Sequence, residues 1–254
     1  MRHTRLAVGM VGWVLAFTSA ALALPVKTET VSYPSGGETV SGYLAVPDSA
    51  GSHPALVVIH EWWGLNDWVK EQARKFAEHG YVALAPDLYR GKVADDPSLA
   101  HELSRGLPQD QGVRDLEAAF DYLASRPDVR HDKIGSVGWC MGGGYSLLLA
   151  ENEPKLAACV VNYGSMPTDK DAIERIQAPV LGNFGAEDHG ITPAAVQAFE
   201  SAMKAAGKSI DVKEYEGAGH AFENPNNKAG YREAAAKDAW ARMLAFLDRT
   251  LKGQ

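Results

Sequence analysis

Between Lys133 and Glu151 the chain passes from a short apolar strand directly into an apolar helix, with Cys140-Met141-Gly142-Gly143-Gly144 at the junction. Lys133–Trp139 has the length and composition of a buried strand, and Tyr145–Glu151 those of a helix. So tight a turn brings two backbones into near contact. Side chains two residues before and two after the apex would collide, and Gly138 and Gly142 occupy those places. The apex residue is left exposed at the helix N-terminus, where the dipole favours a thiolate. Gly-x-Cys-x-Gly is the cysteine form of the Gly-x-Ser-x-Gly nucleophile elbow. A glycine-rich turn around a buried structural cysteine would read the same over five residues, so the rest of the chain has to decide.

Read in order, the chain predicts an edge hairpin first: Lys27–Tyr33 alternates polar and apolar, Ser35–Glu38 turns, and Thr39–Val46 alternates again. Ala55–His60 is an apolar run of the kind a strand buried on both faces requires. Asn66 or Asp67 caps a helix to about His79, with Val69, Ala73, Phe76 and Ala77 on one face. Tyr81–Ala85 reads as a strand, Asp87–Leu107 as an irregular excursion, and a helix from Pro108 or Gln109 to Ser125 precedes the elbow strand. Beyond the elbow come strand Ala157–Tyr163, a weak helix near Asp169–Ile176, strand Pro179–Gly185, helix Thr192–Ala206 and strand Ser209–Tyr215. The last helix carries Trp240, Met243, Leu244, Leu247 and Leu251 at helical spacing. A hairpin followed by alternating strands and helices predicts an α/β fold, a mostly parallel central sheet with helices on both faces. Sites in such sheets lie beyond the carboxyl ends of the strands.

Three residues fall there in an informative order. Cys140 follows the elbow strand, Asp188 lies in Gly185–Gly190 two strands later, and His220 sits in Gly217–Phe222 after the last strand. Nucleophile, acid, histidine is the chain order of the α/β-hydrolase fold. His220 would take the thiol proton and later activate water, with Asp188 orienting the imidazole. Glu187 and His189 are weaker candidates, since Glu187 adjoins the better-placed acid and His189 precedes the last strand. His60-Glu61-Trp62-Trp63-Gly64 lacks the second histidine of a zinc-binding His-Glu-x-x-His, so no metal is expected. In this fold that loop supplies one oxyanion-hole N–H and the residue after the nucleophile the other, here Trp62 and Met141.

Together, His60-Glu61-Trp62-Trp63-Gly64, Pro86-Asp87-Leu88-Tyr89, Gly138-Trp139-Cys140-Met141-Gly142-Gly143, Asp188 and Gly219-His220-Ala221-Phe222 resemble the dienelactone hydrolase family from about Val31 to Leu251. The resemblance implies a cofactor-free cysteine hydrolase that opens an enol-lactone carrying a carboxylate. It matches Cys140, Asp188 and His220 to nucleophile, acid and base, and Glu61 to a glutamate that holds the resting thiol until substrate binds. The family archetype grips the carboxylate with two arginines. One corresponds roughly to Arg90, one place early, and the other falls where this chain has Asn224. Tyr89, Trp63 and Phe222 are the aromatic candidates for the substrate mouth, with Trp62 and Trp139 beside them. Thiol chemistry restricts the substrate independently. A thiolate leaves a tetrahedral intermediate readily, so the substrate's own leaving group must be good, as in enol lactones, aryl esters and thioesters. The alternatives are a broad esterase or thioesterase without lactone preference, and a non-catalytic binding module that kept the fold.

At 254 residues and 46% hydrophobic the chain can bury a full core, one domain over 24–254. A net charge of −7 without a basic block argues against nucleic acid as a partner. Residues 1–23 read as a signal peptide: Arg2 and Arg5, an apolar Leu6–Phe17, and a small-residue end at Ala21-Leu22-Ala23. An uncleaved anchor competes, since Leu6–Leu24 is long enough to span a bilayer. Cleavage and export to a periplasm or beyond are expected, with no membrane attachment afterwards. Export permits disulfides. However, Cys159 early in its strand and Cys140 beyond the end of the neighbouring one lie too far apart, so Cys159 is expected in the core and Cys140 free. A monomer is the favoured oligomeric state.

Overall fold

The computed structural model describes residues 23–253; the expected signal segment, up to residue 22, lies outside the described residues. Strands β1 (Val26–Ser35) and β2 (Glu38–Pro47) form an antiparallel hairpin whose second strand joins β4 (Val82–Pro86), also antiparallel. The remaining strands, β3 (His53–Ile59), β5 (Val129–Trp139), β6 (Ala158–Asn162), β7 (Val180–Gly185) and β8 (Ile210–Tyr215), are parallel, in the order β1-β2-β4-β3-β5-β6-β7-β8. This is the mostly parallel sheet with an edge hairpin that the alternation predicts.

Helices cover both faces, which is why the inner strands are apolar throughout. Val57, Ile59 and Leu84 pack with Leu116 and Phe120 of α3 (Gln109–Ala124) on one side. Leu56, Val58 and Val160 pack with Phe76 of α1 (Asp67–Glu78) and Met243 of α7 (Glu233–Leu247) on the other. Asn66 caps α1, its side-chain oxygen accepting from the Val69 N–H at 3.2 Å, and Val69, Ala73, Phe76 and Ala77 face inward as predicted.

Several boundaries differ from the sequence reading. β5 starts at Val129 and not Lys133, and three further differences each have a physical reason. The excursion after β4 contains α2 (Pro97–Gly106), capped by Asp96, whose carboxylate accepts from the N–H groups of Ser98 at 2.7 Å and Leu99 at 3.1 Å. Asp-Pro at the start of a helix is a legible signal. The elbow helix α4 starts at Met141, not Tyr145, and runs to Asn152, absorbing three glycines that propensity alone would keep out. Tertiary contact requires them: a side chain on Gly143 would run into the Asn162 carbonyl and Gly164. Finally, α7 starts at Glu233 and continues into a π-helical turn, Asp248–Lys252, that buries Leu251. α5 (Lys170–Arg175) and α6 (Pro193–Ala205) lie close to their expected places. Among the described residues no helix is long and apolar enough to cross a membrane.

Candidate active site

Cys140 stands between β5 and α4 with φ 54° and ψ −118°, a conformation an L-residue adopts at a cost of about 1–3 kcal/mol. Close backbone packing holds it there. A Cβ on Gly138 would collide with the Gly142 backbone, and one on Gly142 with the carbonyls of Ile59 and His60. The Cys140 N–H donates to the Asn162 carbonyl at 3.0 Å, and the Cys140 carbonyl receives the Gly143 N–H at 3.0 Å. Asn162 itself is buried and donates to the Gly138 carbonyl at 3.1 Å, so β6 braces the elbow from the side.

Cys140, Asp188 and His220 meet. His220 Nε2 lies 3.1 Å from Cys140 Sγ, and Nδ1 lies 2.7 Å from Asp188 Oδ2. Asp188 is 3% exposed, and its other oxygen accepts from the N–H groups of Gly190 at 2.8 Å and Ile191 at 2.9 Å, which fixes the carboxylate plane. The acid and histidine loops dock through Gly185, where a side chain would strike the carbonyls of Ala218 and Gly219. Neither Glu187 nor His189 takes part in this chain of contacts.

The backbone N–H groups of Met141 and Trp62 act on the Cys140 thiol and pull its pKa down. They are the two groups the sequence reading expects at the oxyanion position. Trp62 is oriented by a residue the sequence reading did not use: His60, fully buried, accepts the Leu88 N–H on Nε2 at 3.3 Å. Its Nδ1 therefore carries the proton and donates to the Glu61 carbonyl at 2.6 Å. Burial holds this imidazole neutral by pushing its pKa down.

Glu61 is 2% exposed. Asn224 Nδ2 donates to its Oε2 at 2.6 Å, and the Tyr163 hydroxyl donates to its Oε1 at 3.4 Å. Burial pushes the carboxyl up to about 7, with both donors opposing that shift. Burial, followed by the Glu61 charge, pushes the Cys140 thiol up to about 12, against the pull of the Met141 and Trp62 N–H groups. The thiol is thus held neutral at rest, and any reaction through its sulfur requires loss of the proton to a base. In this arrangement the thiol faces His220, while the Glu61 oxygens are taken by Asn224 and Tyr163. Cys159 is fully buried, its thiol also raised by desolvation, to about 11, and both cysteines are free.

A cavity of about 840 Å3 opens on Cys140 and His220, walled by Glu61, Trp62, Trp63 and Asn224. The segment Asn226–Ala229 completes the wall, and Lys228 is the one cation among the lining residues. Three sequence candidates for substrate contact lie elsewhere. Arg90 does not line the cavity: its guanidinium pairs with Asp115 at 2.8 Å and Glu38 at 3.1 Å, because a fully buried carboxylate on α3 outcompetes an open cleft for it. Tyr89 is 6% exposed and backs the elbow, its hydroxyl donating to Met141 Sδ at 3.1 Å and its ring meeting His60 edge to face. Phe222 is wholly buried between Tyr163 and Tyr215, a core position that its apolar side chain fills better than a wet mouth. Trp139 is likewise core, against Trp68. Tyr163 and Asn227, missed in the sequence, carry no local pattern, whereas His60 was read there only as part of the His60–Gly64 motif. Asn227 Nδ2 donates to the carbonyls of His220 at 3.2 Å and Ala221 at 3.3 Å. Among the described residues no cluster of metal-ligating side chains occurs.

This architecture has close counterparts. The chain is 34% identical over 230 residues, 85% of its length and 84% of the relative's, to a Salmonella typhimurium protein named as an unproven carboxymethylenebutenolidase. A crystal structure from Klebsiella pneumoniae, titled as an unproven dienelactone hydrolase, superposes with TM-score 0.81 at 32% identity, covering 89% of this chain and 99% of that one. A dienelactone hydrolase-like promiscuous phosphotriesterase from metagenomic libraries superposes with TM-score 0.82 at 27% identity over 89% and 98%. The model of the dienelactone hydrolase family matches residues 40–251, taking in every strand from β2 onward together with the elbow. With the fold, the coverage and the family model in agreement, the chain belongs to the dienelactone hydrolase family and is a hydrolase of the α/β-hydrolase fold.

Proposed function

We propose that this hydrolase cleaves an enol-lactone or similarly activated ester through an acyl-enzyme on Cys140. The observation that carries the reading is the unbroken contact chain Asp188–His220–Cys140 at the mouth of the cavity. His220 Nε2 takes the thiol proton as sulfur adds to the ester carbonyl. The new oxyanion is received by the Trp62 and Met141 N–H groups. The C–S bond stays, the C–O bond breaks, and the enolate departs with the proton from His220. Water, deprotonated by the same nitrogen, then adds to the thioester; the C–S bond breaks, the acid leaves and the thiol regains its proton. Asp188 stabilises the imidazolium in both halves.

The wall composition favours a tolerant site over one dedicated to anions. Arg90 is tied to Asp115, Asn224 is committed to Glu61, and only Lys228 offers a positive charge to the cavity. Neutral enol and aryl esters are therefore accepted nearly as well as a carboxylate-bearing lactone. The test is kcat/KM for a carboxylate-bearing lactone, its methyl ester, an aryl ester and a thioester, with wild type and Cys140→Ala. We expect wild-type turnover of the activated esters, an anion preference below about tenfold, and loss of several orders of magnitude in Cys140→Ala. Cys159→Ala keeps its activity. Full turnover by Cys140→Ala would remove the acyl-enzyme, and a hundredfold preference for the anion would restore a dedicated carboxylate site.

A further inference from the structure

The mechanism above leaves one buried acid unused. Glu223 follows His220 by three residues and immediately precedes Asn224, and it is 9% exposed. Its Oε2 accepts from the Trp139 indole N–H at 3.1 Å, while Oε1 has no partner. Neighbouring residues of one loop thus bracket the nucleophile: Asn224 holds Glu61, and Glu223 holds the residue before Cys140.

Four elements bring groups to this spot. Glu61 comes from the loop after β3, Trp139 from the end of β5 and the Tyr163 phenol from the end of β6, where it lies in the field of Glu61, Glu223 and Cys140 together. Asp188 and His220 reach Cys140 from the loops after β7 and β8, with the His220 ring 5.3 Å from that of Tyr163. On its outer side Glu223 lines a depression of about 420 Å3 with Glu71 and Lys75 of α1 and Tyr231 and Lys237 near the start of α7. Lys237 is engaged by Glu233 at 2.6 Å, the Lys75 ammonium lies 5.8 Å over the Trp240 ring, and Glu71 is bonded to Arg74. Among the described residues no cation reaches Glu223.

Two neighbouring buried carboxyls without a cation cannot both ionise cheaply, and the one with more hydrogen-bond donors ionises first. Glu61 has two donors, Asn224 and Tyr163; Glu223 has one, and a bare oxygen. We propose that Glu223 is a positioning residue of the active site, a neutral acid while Glu61 is charged, whose ionisation at alkaline pH shuts down the nucleophile. A second negative charge there opposes formation of the thiolate. The order of the two carboxyls agrees with their environments: burial and the Glu61 charge push Glu223 up to about 8, above the value of about 7 for Glu61.

This inference rests on the Cys140 esterase reading for its kinetic consequence, not for the charge state itself, so two readouts separate them. The first is the pH profile of kcat/KM for an aryl ester in wild type and Glu223→Gln, a variant that keeps an oxygen for the Trp139 N–H. We expect the alkaline limb to move up by about one pH unit or more in the variant while the acid limb stays in place. The second is infrared titration of the carboxylic-acid C=O stretch of the whole protein. A protonated-acid band persisting just above neutral pH in wild type, lost at higher pH and missing in Glu223→Gln, is expected whether or not any ester is turned over. If Glu223→Gln does not fold, Trp139→Phe removes the one donor and must shift both limb and band to higher pH. An unmoved alkaline limb, or no Glu223-dependent band in the neutral range, overturns the proposal; absence of esterase activity with the band intact overturns only the function.

Discussion

Glu61 is a carboxyl almost without water, and its charge rests on two hydrogen bonds from residues remote in sequence, Asn224 and Tyr163. Because its value of about 7 lies in the working range, small changes in its donors become visible in the pH profile. The Asn224 bond lowers that value, so Asn224→Ala must raise it. The expected result is an inflection in the pH profile of the iodoacetamide inactivation rate near neutrality, displaced to higher pH in Asn224→Ala and abolished in Glu61→Gln. If neither variant moves that inflection, Glu61 has no part in governing the thiol. The same contact commits the Asn224 side chain to Glu61.

Among the elements, the hairpin turn, the loop after β4 and α3 are joined by one ionic knot around the buried Asp115. Asp115 of α3 is fully buried, accepts from the Ser35 hydroxyl at 2.6 Å and pairs with Arg90 at 2.8 Å, and Arg90 also reaches Glu38 of β2. Arg90 adopts φ 55° to do so, a strain accepted because Gly91 N–H and Tyr89 N–H both bind the Asp87 carboxylate and define the turn. Removing one partner of a buried pair leaves the other charge stranded. Arg90→Ala is therefore expected to lower unfolding free energy by about 3–5 kcal/mol, read by urea denaturation. The same variant should leave the ratio of kcat/KM for anionic and neutral esters unchanged. A collapse of that ratio would return Arg90 to the substrate.

For the whole molecule, buried titratable groups give stability a dependence on pH whose sign can be stated. Glu61 and Glu223 keep their protons in the folded state up to about 7 and about 8, whereas the unfolded chain releases them near 4.5. Folded protein holds more protons in that window, so stability falls as pH rises through it, by on the order of 3 kcal/mol for Glu61 and on the order of 5 kcal/mol for Glu223. His60 acts in the opposite sense. Its folded pKa is lowered, so the unfolded state gains a proton below 6.5 and stability is lost as pH falls. Melting temperature should thus peak on the mildly acidic side and decline toward pH 8, and Glu223→Gln should flatten the decline. A melting temperature that rises steadily from pH 5 to pH 8 would show that these carboxyls are not held as described.

Several features of this protein were legible in its residues alone. The glycines two before and two after Cys140, the order of Cys140, Asp188 and His220 beyond successive strands, and the apolar runs of a sheet covered on both faces each follow from short-range sterics and alternation. These rules act within a few residues, so a sequence displays them directly. Even α2, read as irregular, had its signal in Asp96-Pro97. What only tertiary structure decided is which side chains meet across loops. Asn224 is 163 residues from Glu61 and Tyr163 is 102, and no local pattern announces that they share a carboxylate. Arg90 stood beside a substrate motif yet turned to Asp115, and Phe222 stood beside His220 yet turned into the core. The direction of a side chain is settled by competition among partners brought together by the fold, and an uncompensated buried charge such as that of Asp115 wins such a competition over a solvent-filled cleft.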